Sequence, residues 1–75
     1  MRYEFDMIDE DLVVPPILIV FYDLALVGGH IVEYELQGPG GGAERFVVEV
    51  PKAAVAAYEN TLRAHGQDPD GCRVE

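Results

Sequence analysis

Residues 30–50 read HIVEYELQGPGGGAERFVVEV, in which two segments of alternating polar and apolar residues flank a glycine-rich loop. Alternation places every second side chain on the same face of the chain, as in a strand with one buried side. The sequence therefore predicts a β-hairpin that is formed by residues 30–37 and 45–50 and closed by the glycine-rich loop.

Charge selects the register of this hairpin. Pairing Tyr34 with Phe46 sets Glu35 opposite Arg45, and opposite charges across two strands stabilise the pair. A shift by two residues toward a shorter loop would instead set Glu33 opposite a second glutamate, so we expect the first register. The face of the hairpin that turns inward would carry Val32, Tyr34, Leu36, Phe46, Val48 and Val50.

The apolar segment Ile17–Val27 has two interpretations. Its β-branched and aromatic residues favour a buried strand, and the Gly28-Gly29 pair behind it suits a two-residue hairpin turn. Equally, Pro16 before the segment and the two glycines after it would start and stop a short hydrophobic helix. The strand is the preferred prediction, and the helix is the alternative.

The segments near both ends of the chain supply the remaining elements. Arg2–Ile8 alternates in the manner of a strand and is followed by an acidic turn. Pro51 opens the one helix that the periodicity predicts, and Gly66 is its expected end. Cys72–Glu75 is an optional short edge strand at the end of the chain.

These elements define one fold class. A chain of 75 residues has the length of one domain. We expect a single small acidic α+β domain, residues 1–75, with four strands followed by a helix. Its architecture would be a small antiparallel sheet of about four strands, with one C-terminal helix packed on one face and the optional edge strand at its border.

Composition excludes several function classes. Fourteen acidic residues against five basic ones give a formal net charge of −9, which repels phosphates and argues against direct binding of nucleic acid or anionic membranes. The chain has no serine, and its glycine-rich loop lacks the Lys-Ser/Thr of a phosphate-binding loop. The single cysteine, Cys72, can form no internal disulfide, and with two scattered histidines it makes no zinc pattern. We therefore expect no enzyme, no catalytic residue, no cofactor and no metal.

Hydropathy gives an expectation for location. The apolar stretch Leu12–Val27 is interrupted by two prolines and Asp23, and it stays below the roughly 20 residues that a membrane helix requires. The first residues carry one arginine and then turn acidic, unlike a secretory signal. A cytoplasmic protein is the expectation.

A strand over Ile17–Val27 would give the sheet two apolar faces, of which one helix covers only one. The second face would exceed the few hundred square ångströms that monomers keep exposed. We expect it to be an oligomer interface, in first place that of a homodimer. The interface residues would be Leu18, Val20, Tyr22, Leu24, Leu26 and Ile31.

Acidic residues concentrate in the first half of the chain. The candidate partner-binding residues are Glu4, Asp6, Asp9, Glu10, Asp11, Glu33 and Glu35. Alternate residues of a strand lie about 7 Å apart, so such rows of carboxylates imitate neighbouring phosphates of a nucleic acid. The hypothesis is an inhibitor that occupies the basic groove of a nucleic-acid-binding protein. In size and charge, although in no motif, the chain is similar to the anti-restriction and anti-CRISPR inhibitors of phages and mobile elements.

Two alternative functions stay open. In the first, the chain is a small homo-oligomeric accessory or regulatory subunit, whose apolar face makes the oligomer while the acids keep it in solution. In the second, it is an enzyme or ligand binder that uses a pocket near the glycine pair. That pocket would use His30, Asp23 and the tyrosines. In the strand interpretation, Asp23 would also lie inside the hydrophobic layer beside Tyr34, where the Tyr34 hydroxyl or His30 would be the partner of its carboxylate.

Overall fold

The computed structural model describes residues 1–8, 14–36 and 43–74. Its elements in chain order are β1 (Arg2–Ile8), α1 (Pro16–Val27), β2 (His30–Leu36), β3 (Ala43–Glu49), a 3-10 turn (Lys52–Ala54), α2 (Val55–Ala64), α3 (Pro69–Cys72) and β4 (Arg73–Val74). The strands form one antiparallel sheet in the order β2-β3-β1-β4. The predicted α+β fold is confirmed, including the helix near the C-terminus and the short edge strand that follows it.

Both longer helices pack on one face of the sheet. The core consists of Tyr3, Phe5, Val20, Leu24, Phe46, Val48, Val50, Tyr58, Leu62 and Cys72. These residues come from β1, β3, α1 and α2 and the chain segments next to them, so a single hydrophobic layer lies between the helices and the sheet. In the described part of the chain, no helix covers the opposite face, which we call the open face.

The register of the β2–β3 hairpin is the predicted one. Tyr34 lies opposite Phe46, and Glu35 lies opposite Arg45. A β-bulge between Ile31 and Glu33 then shifts the pairing by one residue, which the alternation does not reveal.

The bulge corrects the predicted inward face of β2. Ile31 pairs with Val48 and packs against the core, although the sequence placed it on the other face. Val32, the residue at the bulge, is exposed instead of inward, whereas Tyr34 and Leu36 keep the predicted register and are exposed because β2 is an edge strand. Slipping a strand by one residue exchanges its two faces, and the bulge does this for only one end of β2.

The preferred strand over Ile17–Val27 is wrong, because this segment is the helix α1. Pro16 occupies its first turn, where proline fits, and Gly28 ends it with a left-handed φ of 74°. The Gly28-Gly29 pair is therefore a helix end, at which the Gly29 N–H donates to the Leu24 carbonyl over 2.8 Å. A helix removes Asp23 from the hydrophobic layer, whereas a strand would have buried it there.

The second predicted helix is confirmed and begins with a 3-10 turn. That turn follows Pro51, and α2 continues it with Tyr58 and Leu62 buried against the core. Gly66 has a φ of 78° and ends the helix as expected. No helix in the described residues is long and apolar enough to cross a membrane.

Candidate interaction surfaces

The open face of the sheet collects four of the predicted acidic residues. The pairing register sets Glu4 opposite Val47 and Asp6 opposite Arg45 on β1 and β3. The same register sets Glu33 opposite Val47 and Glu35 opposite Arg45 on β2. Directly opposed residues share a face, so the four carboxylates lie on both sides of the middle strand β3. The predicted Asp9, Glu10 and Asp11 lie outside the described residues.

Arg45 stands at the centre of these acids. Its Nη1 lies 3.1 Å from an oxygen of Glu4, and its Nη2 lies 3.1 Å from Glu33 and 3.6 Å from Glu35. Burial by itself lowers the pKa of Arg45, but the attraction and hydrogen bonds of these carboxylates outweigh it and raise the pKa. One guanidinium therefore holds three carboxylates from two different strands in defined positions.

A second group of charges lies at the other end of the open face. The carboxylate of Glu49 lies 2.8 Å from the N-terminal ammonium and 3.3 Å from Nε of Arg2. The hydrogen bond from that ammonium is the main cause that holds the pKa of Glu49 below its usual range, and Arg2 adds to it. Negative charge is in surplus among the described side chains of the open face. They include two guanidinium groups, of Arg2 and Arg45, and five carboxylates, those of Glu4, Asp6, Glu33, Glu35 and Glu49.

The predicted oligomer residues do not share one face. Val20 and Leu24 are exposed by only 2% and 1%, and they belong to the core, as Ile31 does in part. Leu18 and Leu26, in contrast, are exposed by 55% and 69%. A strand repeats every two residues and a helix every 3.6, so the corrected element divides the predicted set between the inside and the outside.

The outward side of α1 contains one residue that the sequence analysis missed. Tyr22 was expected in the interface, and it is exposed by 64%, but Phe21 beside it is exposed to the same extent. In a strand, Phe21 would lie on the face opposite to Val20 and Tyr22, so the strand interpretation leaves it out of the interface. A helical count with Val20 and Leu24 inward would have found it, since those positions lie one turn apart.

Asp23 has a different partner from the two that were predicted. Its carboxylate lies 2.8 Å from Nε2 of His65 and thereby connects α1 to the end of α2. The Tyr34 hydroxyl instead donates a hydrogen bond to Glu44, a buried carboxylate on β3. The predicted cluster of Asp23 with Tyr34 or His30 is therefore wrong.

A cavity of about 240 Å³ does lie near the glycine pair. Its lining residues are Phe21, Leu24, Ala25, Gly29, His30 and Ile31. The lining is mainly apolar, with the His30 imidazole as its one ionisable group. A second, more open cavity of about 350 Å³ is lined by Asp6, Met7, Ile8, His65 and Gln67.

A polar network between β1, α2 and β4 has a structural role. One carboxylate oxygen of Glu59 accepts hydrogen bonds from the Tyr3 hydroxyl at 2.7 Å and from Nη2 of Arg73 at 2.6 Å. The bonds from Arg73 and Tyr3 lower the pKa of Glu59, while burial and the nearby carboxylate raise the pKa of Tyr3 to about 12. Arg63, one turn along α2, lies 3.9 Å from the other oxygen of Glu59, which makes it the weaker contact of this carboxylate.

The thiol of Cys72, the one cysteine of the chain, is buried. Burial raises the pKa of the Cys72 thiol, so its reactive thiolate is scarce at neutral pH. Among the described residues, no group of three histidine, cysteine or acidic side chains could hold a metal ion. Comparison with protein-family models, with curated proteins and with solved structures finds no match to this chain.

Proposed function

We propose that this chain is a non-catalytic interaction protein whose open face binds a basic surface, namely the nucleic-acid-binding groove of another protein. One observation carries the proposal: Glu4, Asp6, Glu33 and Glu35 come from strands on both sides of β3 and lie together on an exposed face. The proposal includes a cytoplasmic location and the use of no cofactor.

The spacing of these carboxylates suits a partner that reads phosphates. Along each strand, two acids are separated by about 7 Å, and neighbouring strands lie about 4.8 Å apart. The backbone positions of the acids therefore form two parallel rows, Glu4 with Asp6 and Glu33 with Glu35, about 10 Å from each other, and Arg45 draws the carboxylates of Glu4, Glu33 and Glu35 closer together. Lysine and arginine side chains that bind the two strands of a nucleic acid meet a comparable pair of charged rows.

Arg45 supports the proposal through its geometry. It engages Glu4, Glu33 and Glu35 and so reduces the number of positions that these side chains can adopt before a partner binds. Ordered side chains lose less conformational entropy on association. Because one cation neutralises only part of the charge of three acids, the rows keep a negative field that accelerates the encounter with a basic partner.

The test compares two variants that change the net charge equally. Glu33→Gln with Glu35→Gln removes one acidic row, while Asp70→Asn with Glu75→Gln removes two acids near the C-terminal end of the sequence. Wild type and both variants serve as bait in a host lysate, and bound proteins are eluted by stepwise salt or by added duplex DNA or RNA. Neither variant should change the free energy of unfolding by more than about 1 kcal/mol, because exposed ion pairs contribute little.

The expected result is capture of nucleic-acid-binding proteins that DNA or RNA displaces. The Glu33/Glu35 variant should bind the captured protein about tenfold more weakly, or about 1.4 kcal/mol, while the Asp70/Glu75 variant binds like wild type. Equal loss in both variants would show that only net charge matters. Captured proteins that nucleic acid does not displace would refute the mimicry.

A second candidate function is that of a homo-oligomeric accessory or regulatory subunit. The observation that favours it is the apolar outward side of α1, where Leu18, Tyr22 and Leu26 are exposed. On this proposal the acids of the open face only keep the assembly in solution. The two functions differ in the bait experiment, since an accessory subunit would recover its binding partner independently of added nucleic acid.

A further inference from the structure

Helix α1 is apolar on two opposite sides. Its inward side carries Pro16, Val20 and Leu24, which are buried. Its outward side carries Leu18, Tyr22 and Leu26, which follow each other at intervals of four residues and are exposed. A surface helix normally has a polar outer side, so a second apolar stripe on α1 calls for a second contact.

The outward stripe contains no formal charge. Asp23 is the only charged residue of α1, and its carboxylate is directed to His65 at the end of α2. Phe21 flanks the stripe and lines the cavity of about 240 Å³ between α1 and β2. The patch therefore combines projecting apolar side chains with a neighbouring apolar depression.

We infer that this patch is the contact between two copies of the chain, in which the α1 helices pack antiparallel across a two-fold axis. In a two-fold dimer, the projecting stripe of each copy faces the cavity of the other copy. A patch that carries both features can therefore pair with a second copy of itself. Helices that pack in this way approach to 8–10 Å between their axes, about the distance that leucine and tyrosine side chains bridge.

The exposed area is sufficient for such a dimer. A fully accessible aromatic side chain offers about 150–250 Å², so the four exposed side chains of the patch present roughly 400–500 Å² of apolar surface per copy. Two copies bury twice that area, and Ala25 and the rim of the cavity add to it. The total approaches the approximately 1,000 Å² that a specific interface needs, which is the range of weak or transient complexes.

The distribution of charge favours a second copy at this patch. Two chains of net charge −9 repel each other, and association is cheapest where their acids stay farthest apart. The open face lies on the other side of the sheet from α1, and packed layers are about 10 Å thick. In a dimer through α1, at least two such layers and the pair of α1 helices lie between the two open faces. The distance between the open faces is therefore greater than the screening length of about 8 Å at physiological salt.

Sedimentation equilibrium of the full chain tests this inference. Wild type should pass from monomer to dimer with a dissociation constant on the order of 1–100 µM. Higher salt should leave this constant unchanged or lower it, because salt screens repulsion and strengthens apolar contact. Leu26→Glu should raise the constant at least about 100-fold, since it places a carboxylate in the apolar contact.

The matched control is Ala57→Glu, which adds the same charge at an exposed position of α2. It should dimerise like wild type, and circular dichroism should show that both variants keep the secondary structure of wild type. A wild type that stays monomeric at about 1 mM would overturn the inference. So would a dimer that Leu26→Glu leaves intact, or one that salt dissociates.

Discussion

Helices α1 and α2 pack on the same face of the same sheet, but their outer sides are opposite in character. The outward side of α2 carries polar residues such as Asn60 and Arg63, whose side chains are hydrogen-bonded to each other over 3.0 Å. The outward side of α1 carries exposed leucine, tyrosine and phenylalanine. The large apolar side chains of α2, Tyr58 and Leu62, are buried within the domain, whereas α1 keeps several large apolar side chains exposed. On the dimer that we infer, fold stability and association would reside on different sides of α1.

The largest expected effect separates these two sides. Leu24→Ala removes a fully buried side chain from the inward side of α1 and should lower the free energy of unfolding by about 3 kcal/mol. Leu26→Ala, two residues later, should lower it by less than about 1 kcal/mol in dilute monomer, because Leu26 is mostly exposed. Urea unfolding of both variants measures the difference, and similar losses would contradict the assignment of an inward and an outward side.

The ends of the two helices offer a smaller contrast. A β-carbon on Gly29, just after α1, would lie 2.7 Å from the Glu49 carbonyl oxygen and 2.9 Å from a methyl group of Leu24. On Gly66, just after α2, it would meet nothing within 4 Å, although φ is 78°.

Gly29→Ala should therefore cost about 2–3 kcal/mol through overlap, and Gly66→Ala about 1 kcal/mol through left-handed backbone strain alone. Thermal unfolding of both variants makes the comparison. A larger loss for Gly66→Ala would show that the connection from α1 to β2 can move away from the added methyl group.

The smallest effect concerns the polar bond that anchors α2. Tyr3→Phe removes the hydroxyl that donates to Glu59 and should cost about 1 kcal/mol at neutral pH. The folded state raises the pKa of Tyr3 to about 12 from its ordinary value near 10. Its contribution to stability is therefore complete below pH 10 and is lost as the pH rises from 10 to 12.

Stability measured across this alkaline range should fall less steeply for Tyr3→Phe than for wild type. Burial also raises the pKa of Tyr58, which is present in both proteins. Part of the decrease in stability with pH therefore remains in the variant. Identical slopes would show that Tyr3 does not titrate in this window.

The sequence predicts the hairpin and α2 well, because each has one clear periodicity and local charges or glycines that set its limits. The Glu35–Arg45 pair even selects the register that the structure shows. The bulge beside Val32 has no such local signal, since alternation continues through it unchanged. It depends on how β2 meets β3, which is a tertiary property.

The segment of α1 could not be assigned by the same rules. Its β-branched residues favour a strand by a few tenths of a kcal/mol each, while the burial of Val20 and Leu24 under the sheet stabilises the helix by more. A helix that is apolar on two sides shows no amphipathic period, so the usual helical signal is missing. The acidic face was predicted from composition and alternation, but its organisation around Arg45 required the position of β1 beside β3.

The strand order β2-β3-β1-β4 has a consequence for the path of folding. The β2–β3 hairpin joins residues such as Glu33 and Arg45, 12 positions apart, whereas β1 meets β3 through Arg2 and Glu49, 47 positions apart. Closing the longer loop costs about 1 kcal/mol more in chain entropy. We therefore expect the hairpin to form first and β1 to add to it later, together with β4, so that the rate of folding is set by the arrival of the strand that joins β3 to β4.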